Sequence, residues 1–187
     1  MKQALGMLAI AAATCSAAAA PVDLDQARHA FDFLHGEWTV QNRRLTDYSN
    51  PDSPWETFSA SNAVHALPAG IGNYDEYRPE SWRPGFVAMT LRVFDPSSGR
   101  WTIYWLTNRD GGLDPATGHL QPPVVGSFHN GVGTFEGEEE YKGRKARVRF
   151  TWTPIDARHA RWVQAFSFDQ GASWQPNWVM DFTRKDG

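Results

Sequence analysis

The sequence predicts an all-β domain of about ten strands, a sandwich or an up-and-down barrel, preceded by one short helix. Three observations carry that reading. Runs rich in Val, Ile, Thr, Tyr, Phe and Trp recur at short intervals along most of the chain. Turn clusters separate them, such as Asn50-Pro51-Asp52-Ser53-Pro54, Asp95-Pro96-Ser97-Ser98-Gly99, Asp114-Pro115-Ala116-Thr117-Gly118 and Asp169-Gln170-Gly171. One stretch alone, with Leu24, Ala27, Phe31 and Leu34 on one face, has apolar residues at helical spacing.

Residues 1–20 read as a signal peptide and residues 21–187 as a single domain. Lys2 supplies a positive start, residues 4–13 an apolar run, and residues 16–20 small side chains for cleavage after Ala18 or Ala20. The apolar run is well short of the roughly 20 residues a bilayer-spanning helix needs. The mature chain is therefore expected to have no transmembrane span and to be periplasmic or secreted. Lipoprotein anchoring through Cys15 is a minor alternative, because Ala12 and Thr14 suit a lipid-modification site poorly. Cys15 is the only cysteine, so a mature chain has no disulfide, thiol nucleophile or thiolate metal site. The remaining length is ample for a core without disulfides. The net charge of −3 becomes more negative once Lys2 is removed, which excludes a basic nucleic-acid groove.

Asp23 or Asp25 caps a helix expected to run to about His35, where Gly36 stops it. Strands are expected over residues 38–45, 55–67, 71–77, 86–94 and 101–107, then 124–128, 132–141, 144–153, 160–168 and 177–183. Residues 108–123 form the longest irregular piece, a candidate rim loop. One hairpin can be registered directly. If Lys142-Gly143 is a two-residue turn, Tyr141 pairs with Arg144, Glu140 with Lys145, Glu138 with Arg147 and Glu136 with Arg149. The other face then joins Gly137 to Val148 and Phe135 to Phe150. The three glutamates thus read as members of an ion ladder rather than as a metal site.

Gly36-Glu37-Trp38 at the first strand, after a short helix, resembles the signature of the calycin superfamily: lipocalins, fatty-acid-binding proteins and nitrobindin-like barrels. The resemblance implies a single antiparallel up-and-down barrel with the helix closing one end. It also implies that Trp38 packs at that end beneath a basic residue of the last strand, here Arg184. A guanidinium on an indole face is worth about 1–2 kcal/mol when partly desolvated. Further stretches resemble a family of exported bacterial lipocalin-like proteins whose activity is not established. They are Phe31-Asp32-Phe33-Leu34-His35-Gly36-Glu37-Trp38, Gly72-Asn73-Tyr74-Asp75-Glu76, Leu91-Arg92-Val93-Phe94-Asp95-Pro96 and Trp101-Thr102-Ile103-Tyr104-Trp105. Pro123-Val124-Val125-Gly126 and Asn177-Trp178-Val179-Met180-Asp181-Phe182-Thr183-Arg184 complete the set.

Ser167-Phe168-Asp169-Gln170-Gly171-Ala172-Ser173-Trp174 matches an Asp-box, a motif of sialidase propellers. A propeller needs several copies and a longer chain. The single copy reads as a hairpin lock: Asp169 bonds turn amides, Gly171 takes positive φ and Trp174 packs beneath. The six histidines, His29, His35, His65, His119, His129 and His159, show no helical metal-ligand spacing. No cofactor is expected; a single histidine can ligate haem in nitrobindin-like barrels, but no position here matches that role. Gly131-Val132-Gly133-Thr134 precedes no helix and is not a dinucleotide loop. No Gly-x-Ser-x-Gly elbow is present.

Nine Trp, eleven Phe and five Tyr are the compositional anomaly, enough both to fill a core and to line a ligand cavity. Polar groups inside apolar strands are the candidate ligand contacts: Asn42, Asn73, Asp75, Arg92, Tyr104 and Gln164, with Asn177 and Asp181 in similar settings. Alternation from Trp38 turns Asn42 inward. Between residues 86 and 107 the sides stay open, because Arg92, Phe94 and Thr90 compete with Val87, Met89, Leu91 and Val93 for the core face. The leading expectation is an exported barrel for a small apolar or aromatic ligand. One rival is an enzyme in the same cavity, with Asp75 or Glu76 as acid/base and Arg92 or Tyr104 stabilising an anion. The other is a solid barrel with a structural or interaction role in the envelope.

Overall fold

The computed structural model describes residues 23–186; the expected signal peptide and Cys15 lie outside the described residues. Ten strands form the domain: β1 (Gly36–Leu45), β2 (Trp55–Ala66), β3 (Gly72–Arg78), β4 (Ala88–Asp95), β5 (Arg100–Thr107), β6 (Val124–His129), β7 (Val132–Tyr141), β8 (Arg144–Pro154), β9 (His159–Ser167) and β10 (Gln175–Arg184). Every strand pairs antiparallel with its sequence neighbour, and β1 pairs with β10 to close a barrel. Closure decides between the two expected architectures and removes every sheet edge. Each expected strand is present, with ends shifted by no more than two residues.

The β7–β8 ladder has the register read from the sequence, from Tyr141 opposite Arg144 to Phe135 opposite Phe150. Lys142 (φ 52°) and Gly143 (φ 75°) both take the left-handed conformation that a tight two-residue hairpin turn requires. Pairing of charges is less even than register alone implies, because Glu136 takes both Arg147 and Arg149. Exposed pairs of this kind contribute less than about 1 kcal/mol each.

The first expectation needing correction is the helix. Asp23 caps it through bonds to the amides of Asp25 (3.1 Å) and Gln26 (3.2 Å), but α1 spans only Leu24–Arg28, and a separate 3₁₀ turn covers Asp32–Leu34. A helix this short has little stability of its own. Tertiary packing takes over at Phe31, which drops into the barrel with no exposed surface. Its ring meets Trp101 and Phe128 edge-on, each at 4.9 Å, and stacks on Phe135 at 5.5 Å. Leu24, placed on the buried face by spacing, is instead 43% exposed. The plug is a phenylalanine wedge rather than a helix face.

Trp38 and Arg184 close this base together. The Trp38 indole N–H donates to the Leu34 carbonyl (2.7 Å), and the Arg184 guanidinium carbon stands 4.2 Å from the ring centroid. Arg184 Nη1 and Nη2 donate to the carbonyls of His35 (2.5 Å) and Phe33 (2.6 Å), satisfying the end of the 3₁₀ turn. Gly36 is not a helix stop but the first residue of β1, with φ of 110°. A Cβ there would lie 2.9 Å from Arg184 Nη1, so glycine admits both the conformation and the guanidinium.

At the opposite end lie the β1–β2, β3–β4, β5–β6, β7–β8 and β9–β10 connections, including residues 108–123 as the expected rim loop. The Asp-box is the β9–β10 turn. Asp169 accepts from the Ser167 hydroxyl (2.7 Å), the Ser173 amide (2.9 Å) and the Ser173 hydroxyl (2.5 Å). Those bonds, Ser173's first, hold its carboxyl well below the usual carboxylate range. Gly171 has φ of 97°, and Trp174 is half-buried, with the Arg149 guanidinium carbon 3.8 Å from its ring centroid. The motif locks a turn.

Candidate functional site

Alternate residues of the strands point inward, and they do not fill the barrel. A cavity of about 200 Å³ remains, walled by Tyr77, Trp105, Phe150, Trp152, Trp162 and Trp178 from five different strands. Its size is below the ~300–1,000 Å³ of drug-sized sites. Trp178 meets Trp105 and Trp162 nearly at right angles, with centroids 6.3 and 5.7 Å apart. Edge-to-face packing sets the positive edge of one ring against the negative face of another.

One part of the lining is charged. Register places Asp75 opposite Thr90 and Asn73 opposite Arg92. Arg92 Nη2 donates to Asp75 Oδ2 (2.6 Å) and Nη1 to Asn73 Oδ1 (2.9 Å), while the Thr90 amide donates to Asp75 Oδ1 (2.9 Å). Arg92 and Asp75 are only 2% and 1% exposed. Two charges this deep persist because each neutralises the other and finds additional bonds. The guanidinium carbon also stands 5.4 Å from the ring centroids of Phe31 and Trp152. Two buried polar atoms on this lining have no partner: Arg92 Nε and Asn62 Oδ1.

This arrangement settles the open side of β4. Ala88, Thr90, Arg92 and Phe94 face inward, and Met89, Leu91 and Val93 face outward, reversing the usual polarity of a barrel strand. Tyr104 is a correction. Trp101, Ile103 and Trp105 take the inward positions of β5, so the pleat turns Tyr104 outward, opposite Leu91. Glu76 likewise faces outward and pairs with Arg78 (2.8 Å), which removes both from any cavity chemistry.

Of the other sequence candidates, Asp75, Arg92 and Gln164 line the cavity, whereas Asn42 and Asn73 stand behind it. Asn42 Oδ1 accepts from the Tyr77 hydroxyl (2.8 Å) and the Trp178 indole N–H (3.0 Å), pinning two wall rings. Gln164 donates to Asn177 (2.9 Å), which a β10 irregularity between Pro176 and Trp178 tucks inside. Asp181 pairs with Arg161 (2.6 Å) on the outer face. None of the six histidines lines the cavity. Among the described residues, no group of three or more His, Cys, Asp or Glu side chains is placed to hold a metal ion, and no helix is long and apolar enough to cross a membrane.

Asn62 and Glu139 are polar lining residues that sequence reasoning missed, and Glu139 carried a signal. It shares the inward face of β7 with Phe135 and sits opposite Ala146, so its parity and its uncharged partner were the signal. It is also the one lining side chain exposed to solvent, which places the mouth beside it. The surrounding protein nevertheless pushes its carboxyl up to about 7. Between the ordinary value of 4.5 and about 7, the unfolded chain ionises this group while the folded chain keeps its proton. Stability should therefore fall as pH rises through that window and level off above it. Solvent screening on the open side keeps the effect small. Glu139→Gln is expected to flatten this part of the profile in urea midpoints, and an unchanged profile would show that Glu139 titrates normally.

No family model and no curated protein matches this chain. A solved structure does: the S-type phycobiliprotein lyase of Guillardia theta, 10% identical, covers 89% of this chain and 99% of its own, with a TM-score of 0.54. The fold is calycin-like. At this identity the calycin-like barrel shares an architecture with the lyase, and the likeness extends to the fold alone.

Proposed function

We propose that this protein is an exported binding barrel that takes a small, largely apolar or aromatic molecule into its interior, without metal or haem. The single observation that carries the reading is the cavity itself: an aromatic enclosure with a charge-neutral Asp75–Arg92 pair in its lining. Flat rings supply burial at about 25 cal/mol per Å² of apolar surface, and a few polar groups orient what is bound. The same open space argues against a solid barrel. Export rests on the signal-peptide pattern of residues 1–20 and on the resemblance to exported lipocalin-like proteins.

The mature protein, incubated with a lipid and aromatic-metabolite extract, should retain a small molecule at one copy per chain in native mass spectrometry. Bound molecules should also change the fluorescence of the wall tryptophans. Repeated failure to retain anything would overturn the reading. A second reading, acid–base chemistry in the same cavity, is favoured by one observation: the raised carboxyl of Glu139 at the mouth. Release of a chemically altered molecule, lost in Glu139→Gln, would decide for it.

A further inference from the structure

Two buried polar atoms of lining residues, Arg92 Nε and Asn62 Oδ1, have no partner. Arginine carries five N–H donors. In Arg92, Nη1 and Nη2 each hold a bond within the protein, while Nε has no partner. Across the cavity wall, Asn62 is 4% exposed, and its Oδ1 also lacks a partner. Buried atoms of this kind are rare because leaving them unpaired is costly, and those of a charged group most of all. Both belong to residues that line the cavity.

Their placement on the wall can be read from the ladders. Asn62 lies opposite Tyr77 on β3, and Asp75, which grips the end of Arg92, lies two residues earlier on the same strand. Asn62 and Asp75 therefore stand on neighbouring strands of one stretch of the wall. Charge narrows the chemistry further. Asp75 already neutralises Arg92, so a carboxylate ligand would set two anions against one cation in a poorly solvated site. A cationic ligand would find the buried carboxylate already taken.

We propose that the cavity selects an uncharged ring compound that offers an acceptor to Arg92 Nε and a donor to Asn62 Oδ1, the pattern of a cyclic amide or a hydroxyaryl carbonyl. This rests on the binding reading above and specifies the ligand class of the same site. Three bicyclic probes separate the two ideas: 2-quinolone carries both groups, quinoline-2-carboxylate is an anion, and naphthalene has neither. Titrated against the mature protein by tryptophan fluorescence, 2-quinolone should bind about tenfold or more tightly than naphthalene, and the carboxylate should bind most weakly. Asn62→Leu removes the acceptor at similar volume and should cost 2-quinolone about tenfold, whereas naphthalene, which makes no such bond, should bind no more weakly. If that variant does not fold, 1-methyl-2-quinolone makes the same test from the ligand side, since it keeps the acceptor and loses the donor. Equal binding of 2-quinolone and naphthalene, tightest binding by the carboxylate, or no loss on N-methylation would each overturn the ligand class while leaving a binding barrel. Failure of all the probes, naphthalene included, would overturn the binding reading with it.

Discussion

Trp38→Ala is expected to lower unfolding free energy by about 3–5 kcal/mol, the usual range for truncating a large buried aromatic. The side chain is 1% exposed, and three contacts depend on it. Its N–H satisfies Leu34 at the end of the 3₁₀ turn, its face carries the Arg184 guanidinium, and its edge meets Phe182 at 6.1 Å. Removing the indole leaves a void at the point where β1 and β10 close the barrel. Urea denaturation reads the loss directly. Trp38→Phe, which keeps most of the ring but not the hydrogen bond, should lose less. Parent-like unfolding of Trp38→Ala would mean that the base is held by other contacts.

Asp75→Ala should be comparably damaging, at about 3–5 kcal/mol, for a different reason. The substitution removes little volume but strands the Arg92 charge in the interior and takes the acceptor from the Thr90 amide. The double variant Asp75→Leu with Arg92→Met removes both charges and should recover most of that loss, because a buried ion pair contributes little net stability over an apolar replacement. Measured together in urea, the single and double variants form a test. A single variant as stable as the parent would show that Arg92 finds another partner or reaches water. A double variant no better than the single would locate the cost in packing rather than in charge.

The closing base was the most legible part of the protein. Arg184 lies far in sequence from Gly36 and Trp38, yet the calycin resemblance of Gly36-Glu37-Trp38 implied that it covers the indole, as it does. An indole needs a partner for its N–H, and a guanidinium fits its face. The β7–β8 register was legible for a similarly local reason, since a two-residue turn leaves only one ladder. The helix was misjudged at its far end because spacing ranks Leu24 with Phe31. The barrel has room for the phenylalanine wedge, and Leu24 remains outside.

The candidate site was legible only in part. Asp75, Arg92 and Gln164 were singled out as polar groups within apolar strands, and they line the cavity. Tyr104 was singled out by the same rule and faces outward. Alternation along one strand leaves two possible assignments, and β4 and β5 present credible apolar residues on both faces. Glu139 was not singled out, although its parity matched Phe135 and its partner Ala146 is uncharged.

By itself, the amino-acid order determined the strands, their turns, one hairpin register and the residues that seal the base. The first three depend on interactions between chain neighbours, and the last was implied by the resemblance of Gly36-Glu37-Trp38 to the calycin signature. Tertiary structure alone decided which face of β4 points inward, that the barrel is hollow, and that Arg92 and Asn62 each keep one polar atom unpaired. Those outcomes depend on how ten strands share a fixed interior volume, and no single strand carries that information.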